Sequence, residues 1–374
     1  MKTRRSFAIW AARLEGLLWQ ALFPRRCPYC GEIAAPAGYL ICPYCEARLP
    51  YIRGQRCDIC GKQLQQQEQP SGQPYAAGGG SGTHGKTPAI MQSAGIDSSD
   101  FSGRPQGTAR TAAALFAPSA PFLLCKNCAK HRRSFQFSLS LLNYDGISAE
   151  IMAGLKYLHK KEYADALAWL LFRNLGGTLR KLGTAALVPV PVHAKRRRER
   201  GYNQAEALCR SLCAFMNCDE AALLRMGLSD EMLRRVRIIC REQTGTGGKE
   251  KAGKTVAEGM AAYQTATDKM AADRMTAGWR SADHMRTGRM TTVNLLVRTK
   301  NTKAQKGLGA AERLLNLQKA FSLSPQYRKR LPQSVLLVDD IYTTGATMEA
   351  CTQVLLSAGV RKVYGLCVCA GRDV

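Results

Sequence analysis

A chain of 374 residues with 45% hydrophobic content can bury at least one full core and carry an accessory domain, which excludes a wholly disordered protein. Its 54 basic and 28 acidic residues leave a formal charge of +26, which favours a polyanionic partner, either nucleic acid or a phosphorylated small ligand. Bulk charge does not choose between these, and solubility of charged insertions would produce the same excess.

The chain opens with basic residues and the apolar Phe7, Ile9, Trp10, Leu14, Leu17, Leu18, Leu22 and Phe23. Arg13 and Glu15 interrupt the stretch and no small-residue cleavage pattern follows, so residues 1–26 read as an amphipathic helix rather than a signal peptide. No other run is long enough to span a membrane, and the expected location is the cytoplasm.

The 15 cysteines concentrate early, as Cys-x-x-Cys pairs. Cys27/Cys30 and Cys42/Cys45 repeat a Cys-Pro-Tyr-Cys knuckle, Cys57/Cys60 is a third and Cys125/Cys128 a fourth. Two thiolates from one tight turn can share an ion, so eight thiolates predict two structural Zn²⁺ sites with no open position for catalysis. Sequential pairing is the simplest, but spacing alone leaves a crossed pairing of Cys27/Cys30 with Cys57/Cys60 open, and redox disulfides are the alternative chemistry. Residues 64–120, rich in Gln, Gly, Ser, Ala and Pro, read as a flexible insertion in this ribbon.

From Phe135 the alternation through Phe137, Leu139 and Leu141 predicts a strand, followed by a helix carrying Ile151, Leu155 and Leu158 and a second helix at about 161–175. Residues 185–192 form a second buried strand whose prolines belong near its end. The basic run Lys195, Arg196, Arg197, Arg198, Arg200 follows directly. Such a run is most often a solvated face, but after a buried strand its guanidinium groups can converge on a diphosphate. A second insertion is expected at about 219–291. Cys209, Cys213, Cys218, Cys240, Cys351, Cys367 and Cys369 lack ligand spacing and read as small apolar residues. The five histidines likewise show no metal spacing, and His193 at the strand tip reads as structural.

The most informative stretch is 335–347. Val335, Leu336, Leu337 and Val338 form a continuous apolar run, as in a parallel strand buried on both faces. Asp339 and Asp340 then stand at its carboxyl end, where open α/β sheets place their ligands, able to meet sugar hydroxyls or Mg²⁺. Thr343, Thr344, Gly345, Ala346 and Thr347 supply backbone N–H groups, hydroxyls and a flexible glycine ahead of a helix, a phosphate cradle. The plain alternative is an ordinary strand-turn-helix capped by Asp339.

This stretch closely resembles the 5-phosphoribosyl 1-diphosphate (PRPP) motif of type I phosphoribosyltransferases. The resemblance implies that Asp339 and Asp340 hold the ribose hydroxyls, that residues 343–347 hold the 5′-phosphate, and that Mg²⁺ accompanies PRPP. Together with the cysteine knuckles, the run from Val188 to His193, Arg200-Gly201-Tyr202-Asn203-Gln204 and a late Arg298, Thr302, Gln305, Leu308, Arg313, Asn316 and Phe321, the chain resembles the ComF family, competence-associated proteins of phosphoribosyltransferase type. The match covers roughly 20–62, 122–218 and 292–372. It implies an α/β fold with a parallel sheet flanked by helices behind a small zinc ribbon, divided as a helix at 1–26, a double ribbon at 27–134 and a phosphoribosyltransferase-like domain at 135–374. It further implies that Arg200, Asn203 and Gln204 shape the site and that Thr302, Gln305 and Arg313 lie on a segment folding over it.

Two functions follow. One is phosphoribosyl transfer to an unidentified acceptor, mainly by positioning and electrostatics, so that no dedicated nucleophile is required. The other, favoured by the ComF resemblance, is handling of single-stranded DNA in transformation beside competence machinery proteins, with Tyr29, Tyr44, Tyr51 and the basic run as contacts.

Overall fold

The computed structural model describes residues 2–64, 123–244, 289–299, 320–327 and 331–372, with the side chains of 2–5 left aside. The residues expected to form the flexible insertion beyond 64, and Thr302, Gln305 and Arg313 of the expected closing segment, lie outside the described residues.

In chain order the elements are α1 (Lys2–Leu22), α2 (Pro43–Ala47), α3 (Lys126–Lys130), β1 (Ser138–Asn143), α4 (Gly146–Tyr157), α5 (Tyr163–Lys181), β2 (Ala186–Pro189), α6 (Ala194–Arg200), α7 (Gln204–Met216), α8 (Glu220–Arg225) and α9 (Asp230–Thr244). After these come β3 (Thr291–Thr292), β4 (Leu296–Arg298), β5 (Phe321–Leu323), β6 (Ser334–Tyr342), α10 (Ala346–Ser357) and β7 (Lys362–Ala370). Five strands form a parallel sheet in the order β1-β7-β6-β2-β3, and β4 pairs antiparallel with β5.

The apolar run on β6 is buried on both faces, as its continuity predicts. Leu336 and Val338 join one core with α5 and α7, whereas Val335 and Leu337 join a second core with Met348, Ala350, Cys351 and Leu355 of α10. Pro189 ends β2, where its missing donor is harmless, and Val190 N–H still reaches Val338 O at 2.9 Å. β6 leads to β7 on one side, and β2 leads to β3 on the other. Their carboxyl ends therefore flank the point where the strand order reverses, which opens a crevice between the loops that leave them.

Three details depart from the sequence reading. Leu158 does not join the core but caps α4 at 61% exposure. The stretch from 219, read as an insertion, is helical to 244 and integral to the fold: α8 and α9 bury Leu223, Leu224, Met232, Leu233 and Val236. Cys218 and Cys240, expected to pack as lone apolar residues, are joined as a disulfide between the end of α7 and α9.

Candidate ligand site and metal centres

The crevice is furnished by three elements. At the tip of β6, Asp339 and Asp340 obey strand alternation and address opposite sides of the sheet. Asp340 turns to the α4 side, where Lys156 Nζ lies 3.0 Å from its carboxylate. Burial works against the Lys156 charge, but Asp340 outweighs it and raises the ammonium above its ordinary value. Asp339 is pushed up to about 7, first by burial and then by the Asp340 carboxylate, against the opposing pull of the Asp340 N–H at 2.9 Å, Lys156 and Arg298. The two carboxylates repel one another across the strand tip, and each could take a cation or a hydroxyl donor on its own side.

Next along the chain, Gly345 takes φ 78° and caps α10, so the chain turns sharply into the helix directly after the tip of β6. A side chain at Gly345 would also strike the Tyr342 hydroxyl, which is buried without a partner. Thr343 is exposed, while Thr344 and Thr347 are partly so. Thr344 Oγ1 accepts from Ala346 N–H at 3.4 Å. These features give the geometry of an anion cradle at the start of a helix of 12 residues.

Opposite, a cavity of about 340 Å³ is lined by Lys156, Tyr157, His159, Arg196, Glu199 and Arg200. Arg200 stacks over the Tyr157 ring at 5.2 Å. Of the neighbouring residues expected at the site, Asn203 and Gln204 are buried instead of lining this cavity. Asn203 caps α7 through Ala205 N–H and donates to Val190 O at 3.1 Å, so it ties the start of α7 to the residue after β2. His193 is structural, its Nδ1 accepting from Lys195 N–H at the start of α6. A larger cavity of about 420 Å³ is lined by Arg53, Gln63, Asn143 and Arg372 among others; Asp339 and Asp340 line neither cavity, and Lys156 is what joins the smaller one to Asp340.

Lys156 is the site residue that sequence reasoning missed. A single lysine near the end of an amphipathic helix carries no motif, and only the tertiary approach of α4 to β6 gives it a partner.

The eight knuckle cysteines form two clusters with the sequential pairing: Cys27, Cys30, Cys42, Cys45 and Cys57, Cys60, Cys125, Cys128. Within each, the Sγ atoms lie within 4.8 Å of one another. Cys60 and Cys125 Sγ are 3.6 Å apart, against the ~3.8 Å expected across a tetrahedral zinc with Zn–S of about 2.3 Å. The donor set therefore fits structural Zn²⁺. The first knuckle of each cluster has the same turn: Gly31 N–H bonds Cys27 O and Gly61 N–H bonds Cys57 O, both at 2.9 Å, with φ of 77° and 71° at the glycines.

The second cluster touches the loop between β6 and α10. Asn127, inside the fourth knuckle, donates to Thr344 O at 3.1 Å, and Arg133 donates to the same oxygen at 2.8 Å. Ser134 then holds Glu349 of α10 through its N–H at 2.9 Å and its hydroxyl at 2.5 Å. Of the three tyrosines considered for base stacking, only Tyr44 is open, at 68% exposure. Tyr29 is half-buried against the core, and Tyr51 is tucked into an antiparallel bridge with Leu142.

Fold and site together define a parallel α/β sheet domain carrying a double zinc ribbon. Residues 18–73 match the double zinc ribbon domain family. The chain is 40% identical over 75 residues to competence protein F of Haemophilus influenzae, a match spanning 20% of this chain and 33% of that protein. It is 23% identical over 255 residues to the DNA utilization protein YhgH of Salmonella typhi, spanning 67% of this chain and 78% of that protein, and 22% identical over 250 residues to YhgH of Escherichia coli K12. The chain is a homologue of these proteins, in agreement with the ComF resemblance of its motifs. The family match ends before Cys125 and Cys128, so the completion of the second cluster rests on the geometry alone.

Proposed function

We propose that this protein binds PRPP or a closely related sugar phosphate in the crevice between β6 and β2, and that it acts in DNA uptake by handling single-stranded DNA. The observation that carries the ligand reading is one constellation: two carboxylates at the tip of the central strand, a left-handed glycine opening α10 after them, and Lys156, which pairs with Asp340 and lines a basic cavity with Arg196 and Arg200. The 5′-phosphate fits residues 343–347, the ribose hydroxyls fit Asp339 and Asp340, and the diphosphate with its Mg²⁺ fits the basic wall of Lys156, Arg196 and Arg200. Thr302, Gln305 and Arg313 complete the proposed set from the segment before β5.

Binding would release Lys156 from Asp340 toward the incoming phosphates. The bound sugar would then be held at both ends, the arrangement that stabilises a departing diphosphate if an acceptor is present. The DNA role draws on the names of the relatives, competence protein F and DNA utilization protein, and on exposed Lys195, Arg197, Arg198 and Tyr44. In this reading the sugar-phosphate site serves DNA handling, with transferase chemistry as the alternative use of the same crevice.

Calorimetric titration with PRPP and Mg²⁺ tests the ligand, and binding should vanish in Asp339→Ala/Asp340→Ala. A salt series with a single-stranded oligonucleotide tests the DNA contact, because phosphate neutralisation makes affinity fall as ionic strength rises. Absence of oligonucleotide binding at low salt would remove direct DNA contact.

A further inference from the structure

α1 is packed by one face and left bare on the other. Its inner stripe is Ile9, Ala12, Gly16 and Gln20. A methyl group at Gly16 would collide with Leu224 O, Gln20 Nε2 donates to Gly227 O at 2.7 Å, and Glu15 pairs with Arg225 at 3.3 Å. Beyond the helix end, Arg25 bonds Met226 O at 2.8 Å and pairs with Asp165 at 2.9 Å. The helix is thus seated on α8 and is not free to turn its outer face inward.

That outer face carries Phe7, Trp10, Leu14, Leu17, Leu18 and Leu22, exposed by 67%, 59%, 43%, 62%, 54% and 70%. The first five recur at i, i+3, i+7, i+10 and i+11, which places them on one side of a helix. A contiguous stripe of this size is uncommon on a chain that stays in water. Its surroundings select the occupant. Residues 1–26 hold six basic side-chain positions, Lys2, Arg4, Arg5, Arg13, Arg25 and Arg26, against the single acid Glu15. A second copy of this chain would bring another +26 to the interface and be repelled. An anionic lipid surface meets both features, since it takes up the Trp, Phe and Leu side chains and attracts the basic flanks. No helix among the described residues is long and apolar enough to cross a membrane.

We infer that α1 is an interfacial anchor that lays its Phe7, Trp10, Leu14, Leu17, Leu18 and Leu22 face into an anionic membrane surface. The protein then works at that surface with its seat on α8 intact. This inference does not depend on the PRPP reading.

Flotation of the full chain with phosphatidylcholine vesicles, with and without phosphatidylglycerol, tests it. The wild type should float with the anionic vesicles, less so as salt is raised. Leu14→Gln/Leu17→Gln keeps the net charge and should bind at least roughly a hundredfold more weakly, with zinc content and far-UV circular dichroism unchanged. Trp10→Gln, on the same stripe, should weaken binding in the same direction. Three results would overturn the inference: no flotation at low salt, flotation unaffected by these variants, or a dimer in light scattering that the variants dissociate.

Discussion

The two cysteine clusters share one local design and have opposite surroundings. The first lies with the core that contains α5 and α7, leaves Cys30 exposed, and is tied to the body by the Arg173–Glu46 pair and by Ser229 N–H to Gly38 O at 3.3 Å. The second lies on the other face of the sheet, is buried at all four cysteines, and reaches Thr344 and Glu349 through Asn127, Arg133 and Ser134. The same knuckle is thus a peripheral clip in one place and a buttress of the loop between β6 and α10 in the other. A structural metal acts on a ligand site through what its ligand-bearing turns touch, not through the metal itself.

The widest separation between the clusters should come from breaking each in turn. Cys57→Ser/Cys60→Ser should lose one of two zinc ions, destabilise the protein by more than about 3 kcal/mol and abolish PRPP binding, because the second core loses its anchor. Cys30→Ser/Cys42→Ser should lose the other ion while leaving PRPP affinity within about threefold, since no residue of that cluster contacts the loop in the described residues. Zinc analysis, thermal unfolding and calorimetry read these outcomes together.

A gentler cut separates the metal from the loop. Lys156→Ala should weaken PRPP roughly tenfold or more without changing zinc content, because it strips the crevice of a cation and leaves Asp340 unpaired. Asn127→Ala/Arg133→Ala should weaken PRPP by about five- to tenfold, again with two zinc ions retained, by freeing the Thr344 carbonyl. An unchanged affinity in that double variant would make the second cluster as peripheral as the first.

The last effect concerns the unliganded site. Because the folded protein raises Asp339 to about 7, its contribution to stability is full below the unfolded carboxylate value near ~3.9 and is lost as pH rises through about 7. Asp339→Asn should therefore raise stability at pH 8 by up to about 4 kcal/mol, at about 1.4 kcal/mol for each pH unit between ~3.9 and about 7, and flatten the pH dependence across that window, while removing ligand binding. Thermal melts across that window check it.

The parts that carry local chemistry were legible in the sequence. The run of Val335, Leu336, Leu337 and Val338 specified a doubly buried strand by continuity alone, and Gly345 marked the turn because the chain needs φ > 0 there. The cysteine knuckles announced themselves by spacing, although only the fold decided their pairing. What could not be read depends on distant residues meeting. Lys156, Asn127 and Arg133 are unremarkable polar residues until α4 and α3 are packed against β6 and the loop after it. Residues 219–244 were assigned to an insertion because the family resemblance stops at 218, yet Leu223, Leu224, Met232, Leu233 and Val236 are spaced to bury one face. Asn203 and Gln204 entered the expected site through the family resemblance, and in the structure they are buried at the start of α7.

The central claim, a sugar-diphosphate site at the tip of β6, is tested most directly by calorimetric titration of the wild type and of Asp339→Ala/Asp340→Ala with PRPP and Mg²⁺. Saturable binding near one ligand per chain is expected in the wild type and none in the variant, with zinc content equal in both. Absence of wild-type binding, or equal binding by the variant, would contradict it.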